Sequence, residues 1–182
     1  MELKGQRSLP VDRATAWAAL NDADSLKAAI PGCESFTVVD PTHHEVVVNA
    51  AIGPVKARFK GRLELTELRP PESYRLQFDM QGGGAGFSRG SAQVALVELG
   101  PRETRMDYEV DAQVGGKIAQ VGSRLVDAAA ASLAERFFAT FAAQLAEKYP
   151  APAGSPPAPP PPAAPGFWAL LLDFLRRLFG RN

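Results

Sequence analysis

The sequence predicts an α+β domain: an antiparallel sheet, dry on one face, covered by one long helix and followed by a proline-rich linker and a short amphipathic helix. Three observations carry this. Several segments in the middle of the chain alternate apolar and polar residues between turn signals. Residues 117–148 repeat apolar side chains at spacings of three and four. Residues 150–165 hold nine prolines in sixteen positions. Alternation by two belongs to half-buried strands, the wider spacing to a helix with one dry face, and dense proline to extended chain.

Residues 2–9 read as the first strand, broken by Pro10. Asp12 is placed to cap a helix through Leu20, and Asn21-Asp22 to cap a second, which Pro31-Gly32 must end. From Val55 to Thr66, apolar or small residues alternate with polar ones over twelve positions. The same pattern sets Tyr74, Leu76, Phe78 and Met80 on one face, and Met106, Tyr108, Val110 and Ala112 likewise. Residues 44–52 and 91–99 are also strand-like, with a less clear inward phase. Asp40-Pro41, Gly53-Pro54, Pro70-Pro71 and Gly100-Pro101 mark turns between them. Each run is half-wet, so the sheet is antiparallel with one open face. From Lys117 to Lys148 a single helix is expected, with Ile118, Val121, Leu125, Ala129, Leu133, Phe137, Phe141 and Leu145 facing the sheet.

Domain 1–149 thus precedes a linker, 150–165, and a terminal helix, 166–182. As an extended spacer at ~3.1 Å per residue the linker reaches roughly 50 Å. Among the 182 residues, Lys+Arg and Asp+Glu both number 20, which argues against a nucleic-acid-binding domain. Cys33 is the only cysteine, so no internal disulfide forms. The N-terminus is polar and lacks the apolar stretch of a secretory signal, and no run of 18 apolar residues exists. These features predict a cytoplasmic protein.

In the long helix, residues 128–132 are all small, while Phe137, Phe138 and Phe141 follow. A slim helix over a curved sheet leaves space, and space in a close-packed interior usually houses a ligand. The candidate lining residues are Phe59, Leu63, Phe78, Phe87, Tyr108, Leu133, Phe137 and Phe141, with Ala129 at the narrow part of the helix. The same residues could instead make a solid core. Gly82 to Gly86 lacks the Lys-Ser/Thr of a phosphate-binding loop and reads as a hairpin connection that could gate a cavity. His43 and His44 are neighbours on a strand and point to opposite faces, so they do not share a metal. Cys33 has no evident base beside it and reads as a small buried hydrophobe. No acid/base pair or triad stands out, no covalently bound cofactor is expected, and the domain reads as a binding module rather than an enzyme.

On a helical wheel of about 100° per residue, Phe167, Trp168, Leu170, Leu171, Leu172, Phe174, Leu175, Leu178 and Phe179 fall within one arc of roughly 200°. Asp173, Arg176 and Arg177 sit opposite. The segment is too short and too charged to span a bilayer. A wide Trp/Phe/Leu face with a cationic back suits in-plane binding to an anionic leaflet, and docking on a partner protein is the other reading.

Ile30-Pro31-Gly32-Cys33-Glu34, the run from Gly53 to Gly61, Ala85-Gly86-Phe87 and the run from Gly115 to Leu125 resemble the G-subunit family of carbon monoxide dehydrogenase over about residues 1–148. That resemblance implies the START/polyketide-cyclase-like (SRPBCC) superfamily and a helix-grip fold: a curved antiparallel sheet wrapped around a long C-terminal helix with an apolar cavity. It further implies an accessory role beside a cytoplasmic molybdenum hydroxylase such as CO dehydrogenase. Cavity and tail together suggest a carrier that takes a respiratory quinone from the inner face of the cell membrane, with Tyr108 or Arg89 as polar contacts. The alternative is a recruitment or assembly factor in which the tail acts and the cavity is incidental.

Overall fold

A computed structural model describes residues 1–151. The proposed membrane helix at 166–182 and nearly all of the linker lie outside the described residues. The elements run β1 (Glu2–Leu9), α1 (Arg13–Leu20), α2 (Ala23–Ala29), β2 (Cys33–Val38), β3 (His43–Ile52), β4 (Val55–Arg69), β5 (Ser73–Gln81), β6 (Phe87–Gly100), β7 (Glu103–Gly115), α3 (Lys117–Gln120) and α4 (Ser123–Lys148). Seven strands form one antiparallel sheet in the order β1-β7-β6-β5-β4-β3-β2. Strands β2 to β7 are thus successive neighbours, and β1 returns to pair with β7.

Both helix caps form where the sequence places them. Asp12 accepts from the Thr15 amide at 3.0 Å and Asp22 from the Ser25 amide at 3.0 Å. The hydrogen bonds from Thr15 and Ser25 hold the two carboxyls below the usual carboxylate range. The alternating strands also behave as expected: in β4, Phe59 and Leu65 are buried while Lys60, Arg62 and Glu64 are exposed. Strand β2 is an addition to the predicted set. Its register slips between Cys33 and Ser35, so its six residues show no clean alternation.

The long helix differs from the expectation in one respect. It breaks at Gly122, whose φ of +98° suits glycine alone, and restarts at Ser123. The break resets the helical phase: Ile118 is buried in α3, but in α4 Val126 is buried and the predicted Leu125 is 50% exposed. Further along, Phe138, Phe141 and Leu145 turn inward.

The core lies where α1 and the second half of α4 meet the sheet. Leu9, Val11, Ala16, Leu20, Leu96, Met106, Phe141 and Leu145 are all buried there. Buried Thr104 donates its hydroxyl to the Val11 carbonyl at 2.9 Å, and Arg102 donates to the Tyr149 carbonyl at 2.6 Å. The latter bond ties the end of α4 to the β6–β7 turn. Among the described residues no helix is long and apolar enough to cross a membrane.

Candidate functional site: a cavity between sheet and helix

The dry face of the sheet and the helices above it do not close completely. They leave a cavity of about 280 Å³, to which every strand contributes, together with α1, α2 and α4. Strand register explains the floor. Leu65, Leu76, Ala92, Val110 and Leu3 are cross-strand partners in sequence across β4, β5, β6, β7 and β1, and all five line the space. Tyr74, Val94 and Tyr108 form a second row, and His44 and Leu63 a third. Leu20, Leu26, Ala134, Phe137 and Phe138 make the roof.

The second row needs a glycine. Tyr108 pairs with Gly5 on β1, and a Cβ there would stand 2.6 Å from the tyrosine oxygen. Tyr108 in turn lies 4.9 Å from the Phe138 ring, centroid to centroid. Arg7 closes the seam between β1 and α4: it pairs with Glu135 and sits over the Phe138 ring.

Among the described residues the wall carries no Lys, Arg, Asp or Glu, and its only polar side chains are His44, Tyr74 and Tyr108. Burial pushes the Tyr74 hydroxyl up, with no hydrogen bond opposing it. Trp17 meets Tyr74 edge-on at 5.6 Å. His44 is 9% exposed, its ring lies 5.4 Å from that of Phe36 at a tilt of 36°, and its buried Nδ1 has no hydrogen-bond partner among the described residues. Burial, outweighing the nearby Asp40 carboxylate, pulls its pKa below the ordinary histidine value. Its neighbour His43 points to solvent, where Nδ1 and Asp40 lie 3.0 Å apart.

Of the lining residues predicted from sequence, the structure brings Leu63, Tyr108 and Phe137 together on the wall. The others stand elsewhere. Phe141 is fully buried in the packed core. The Phe59 ring lies over Gly82 and the Phe87 ring over Gly115, so both fill glycine clefts between strands. Phe78 is half-buried between Leu63 and Gly90, beyond the end of the cavity. Ala129 and Leu133 are half-buried on α4, and the helix meets the cavity only from Ala134 onward. Arg89 is exposed and covers the Phe87 ring at 4.6 Å, away from the cavity.

His44 and Tyr74 are polar groups of the wall that the sequence does not place among the candidate lining residues. The signal is present: even positions 44, 46 and 48 follow one inward face of β3. Cys33, read as a buried hydrophobe, is half-buried, with its thiol pushed up by burial and 3.4 Å from the Ser35 carbonyl. The glycine-rich segment connects β5 to β6, closed by the Gly82 amide donating to the Gly86 carbonyl at 2.8 Å.

Solved structures share this architecture. A conserved protein from Geobacillus kaustophilus is similar at 26% identity, with a TM-score of 0.76 over 81% of this chain and 97% of that one. A START superfamily protein from Mycobacterium smegmatis matches at 12% identity and TM-score 0.64, over 81% of this chain and 98% of its own. The Zhui aromatase/cyclase from Streptomyces sp. R1128 matches at 9% identity and TM-score 0.63, over 85% of this chain and 99% of its own. The last two likenesses establish the fold, the helix-grip arrangement of START and cyclase-like proteins. No curated protein matches the chain. The family signature of the carbon monoxide dehydrogenase G-subunit (CoxG) matches residues 5–146, a stretch that stops short of the linker and tail, takes in all the described elements but the first residues of β1 and the last of α4, and holds every cavity-lining residue but Leu3, and the chain belongs to that family.

Proposed function

We propose that this protein is a non-catalytic carrier that binds a neutral apolar ligand, a respiratory quinone, and links a molybdenum-containing CO dehydrogenase or related hydroxylase to the membrane. The observation that supports this best is the wall of the cavity: apolar, without a charged side chain, and carrying three isolated polar groups. Among the described residues no hydrogen bond joins any two of those groups, and the predominantly apolar wall suits binding. Family membership supports the partner.

The chemistry fits the need of such an enzyme. Oxidising CO with water to CO2 releases two electrons and two protons, and a quinone takes up both to become a quinol. Quinone is dissolved in lipid, whereas the enzyme is not, so something must carry it between them. The volume of about 280 Å³ lies just below the ~300–1,000 Å³ of most ligand pockets. It suits a ring and the start of a prenyl chain, with the remaining chain outside. The apolar face of residues 166–182 and the linker before it support contact with the cytoplasmic face of the membrane.

A reconstituted assay tests the reading. Purified CO dehydrogenase is mixed with vesicles containing quinone, and quinol formation is followed during CO oxidation. Adding the full chain should accelerate quinol formation several-fold. An unchanged rate at saturating chain, with the enzyme active toward a soluble dye, would refute the carrier role.

A further inference from the structure

We propose that His44 recognises the ligand's head group, holding a neutral oxygen of an otherwise apolar molecule by a hydrogen bond. The inference rests on the cavity being the ligand site. Its starting point is the buried Nδ1 of a cavity-lining ring, which has no hydrogen-bond partner among the described residues. An unmade hydrogen bond at a buried group is costly, so native structures rarely leave one without an occupant to complete it.

Water is a poor occupant here. A retained internal water needs two to four polar partners. The ring's neighbours are Phe36, tilted against it, and Leu63, opposite it on β4, while the nearby Asp40 carboxylate is taken up by Thr42 and His43. An occupant that brings one oxygen on an apolar body satisfies the ring, after a small rotation that turns the enclosed Nδ1 toward the cavity, and the surrounding wall.

The wall also selects by charge. A carboxylate or phosphate head would be buried with no Lys or Arg to pair it, which is strongly unfavourable. Fatty acids and phospholipids are therefore discriminated against, and neutral carbonyl or hydroxyl compounds are favoured. Burial favours the neutral form of the His44 ring, in which one nitrogen donates and the other accepts. A ring in that state can donate to a carbonyl or, in its other tautomer, accept from a hydroxyl. It can hold both the oxidised and the reduced form of one carrier molecule.

The test is a binding titration of the full chain with three probes: a short-chain naphthoquinone, the hydrocarbon of the same skeleton without oxygens, and dodecanoate. The variants are His44→Phe, His44→Gln and Ala134→Trp. Phenylalanine replaces a buried, unpartnered polar ring by an apolar one of similar shape, which is compatible with folding, and circular dichroism checks this. The proposal expects His44→Phe to weaken naphthoquinone binding about five- to tenfold, the loss of one neutral hydrogen bond, and to leave the hydrocarbon unchanged. His44→Gln should recover part of the loss, and dodecanoate should bind the native chain more weakly than the naphthoquinone. If Ala134→Trp abolishes binding but His44→Phe changes naphthoquinone and hydrocarbon affinity equally, or neither, the role of His44 is overturned and the cavity stands as the ligand site. If Ala134→Trp leaves all binding intact, the cavity is not the site and both readings fall.

Discussion

At Asp12 one carboxylate converts a broken strand into a helix, by accepting the Thr15 amide and hydroxyl at 3.0 and 2.6 Å. Replacing it by alanine should lower stability by about 1 kcal/mol, measured by urea unfolding. This feature is legible in the sequence because capping is local: the acceptor and its donor are three residues apart. His44 is not legible in the same way. Alternation along β3 gives the inward face, but whether an inward residue meets a helix or a void depends on elements far away in sequence. Its titration makes a second prediction. The folded ring has a pKa below the unfolded value of about 6.5, so the unfolded chain binds the proton more readily. The stability associated with keeping the ring neutral is present above that value and is lost as pH falls toward the folded pKa. Denaturation midpoints of the native chain should therefore drop between pH 7.5 and 5 by more than those of His44→Phe. Parallel profiles would contradict the assignment.

Among the elements, α4 shows what periodicity can and cannot convey. Its length, its core phenylalanines and its place over the sheet follow from apolar spacing. The phase of its first turns does not, because Gly122 sits in a backbone conformation that interrupts the repeat begun at Ile118 and Val121. Gly122→Ala should cost about 1–3 kcal/mol through backbone strain alone, since a Cβ there meets nothing within 4 Å. Phe141 makes the complementary case. Sequence places it on the cavity; the structure buries it completely among Leu9, Met106 and Leu145. Phe141→Ala should destabilise the fold by about 3–5 kcal/mol in chemical unfolding, as a core truncation does. Leu63, Tyr108 and Phe137 are identified from their faces alone, whereas the height of the cavity along the strands is set by how α1 and α2 pack, which alternation does not encode.

Across the whole molecule, the proposed division of labour is between a domain that binds and a tail that reaches. The linker leaves from Tyr149, whose carbonyl Arg102 holds at the β6–β7 turn, so the tail starts from a fixed point on the domain. Removing residues 166–182 should abolish co-sedimentation with anionic vesicles while leaving the binding of a short-chain naphthoquinone unchanged. Persistent sedimentation would place lipid contact on the domain instead. The direct test of the account is whether the cavity takes a quinone from a membrane. The full chain is incubated with vesicles containing quinone, separated from them, and examined by native mass spectrometry. One quinone per chain is expected for the native protein and none for Ala134→Trp, the substitution that fills the roof of the cavity. Equal loading of the two, or a native chain that emerges empty, would contradict it.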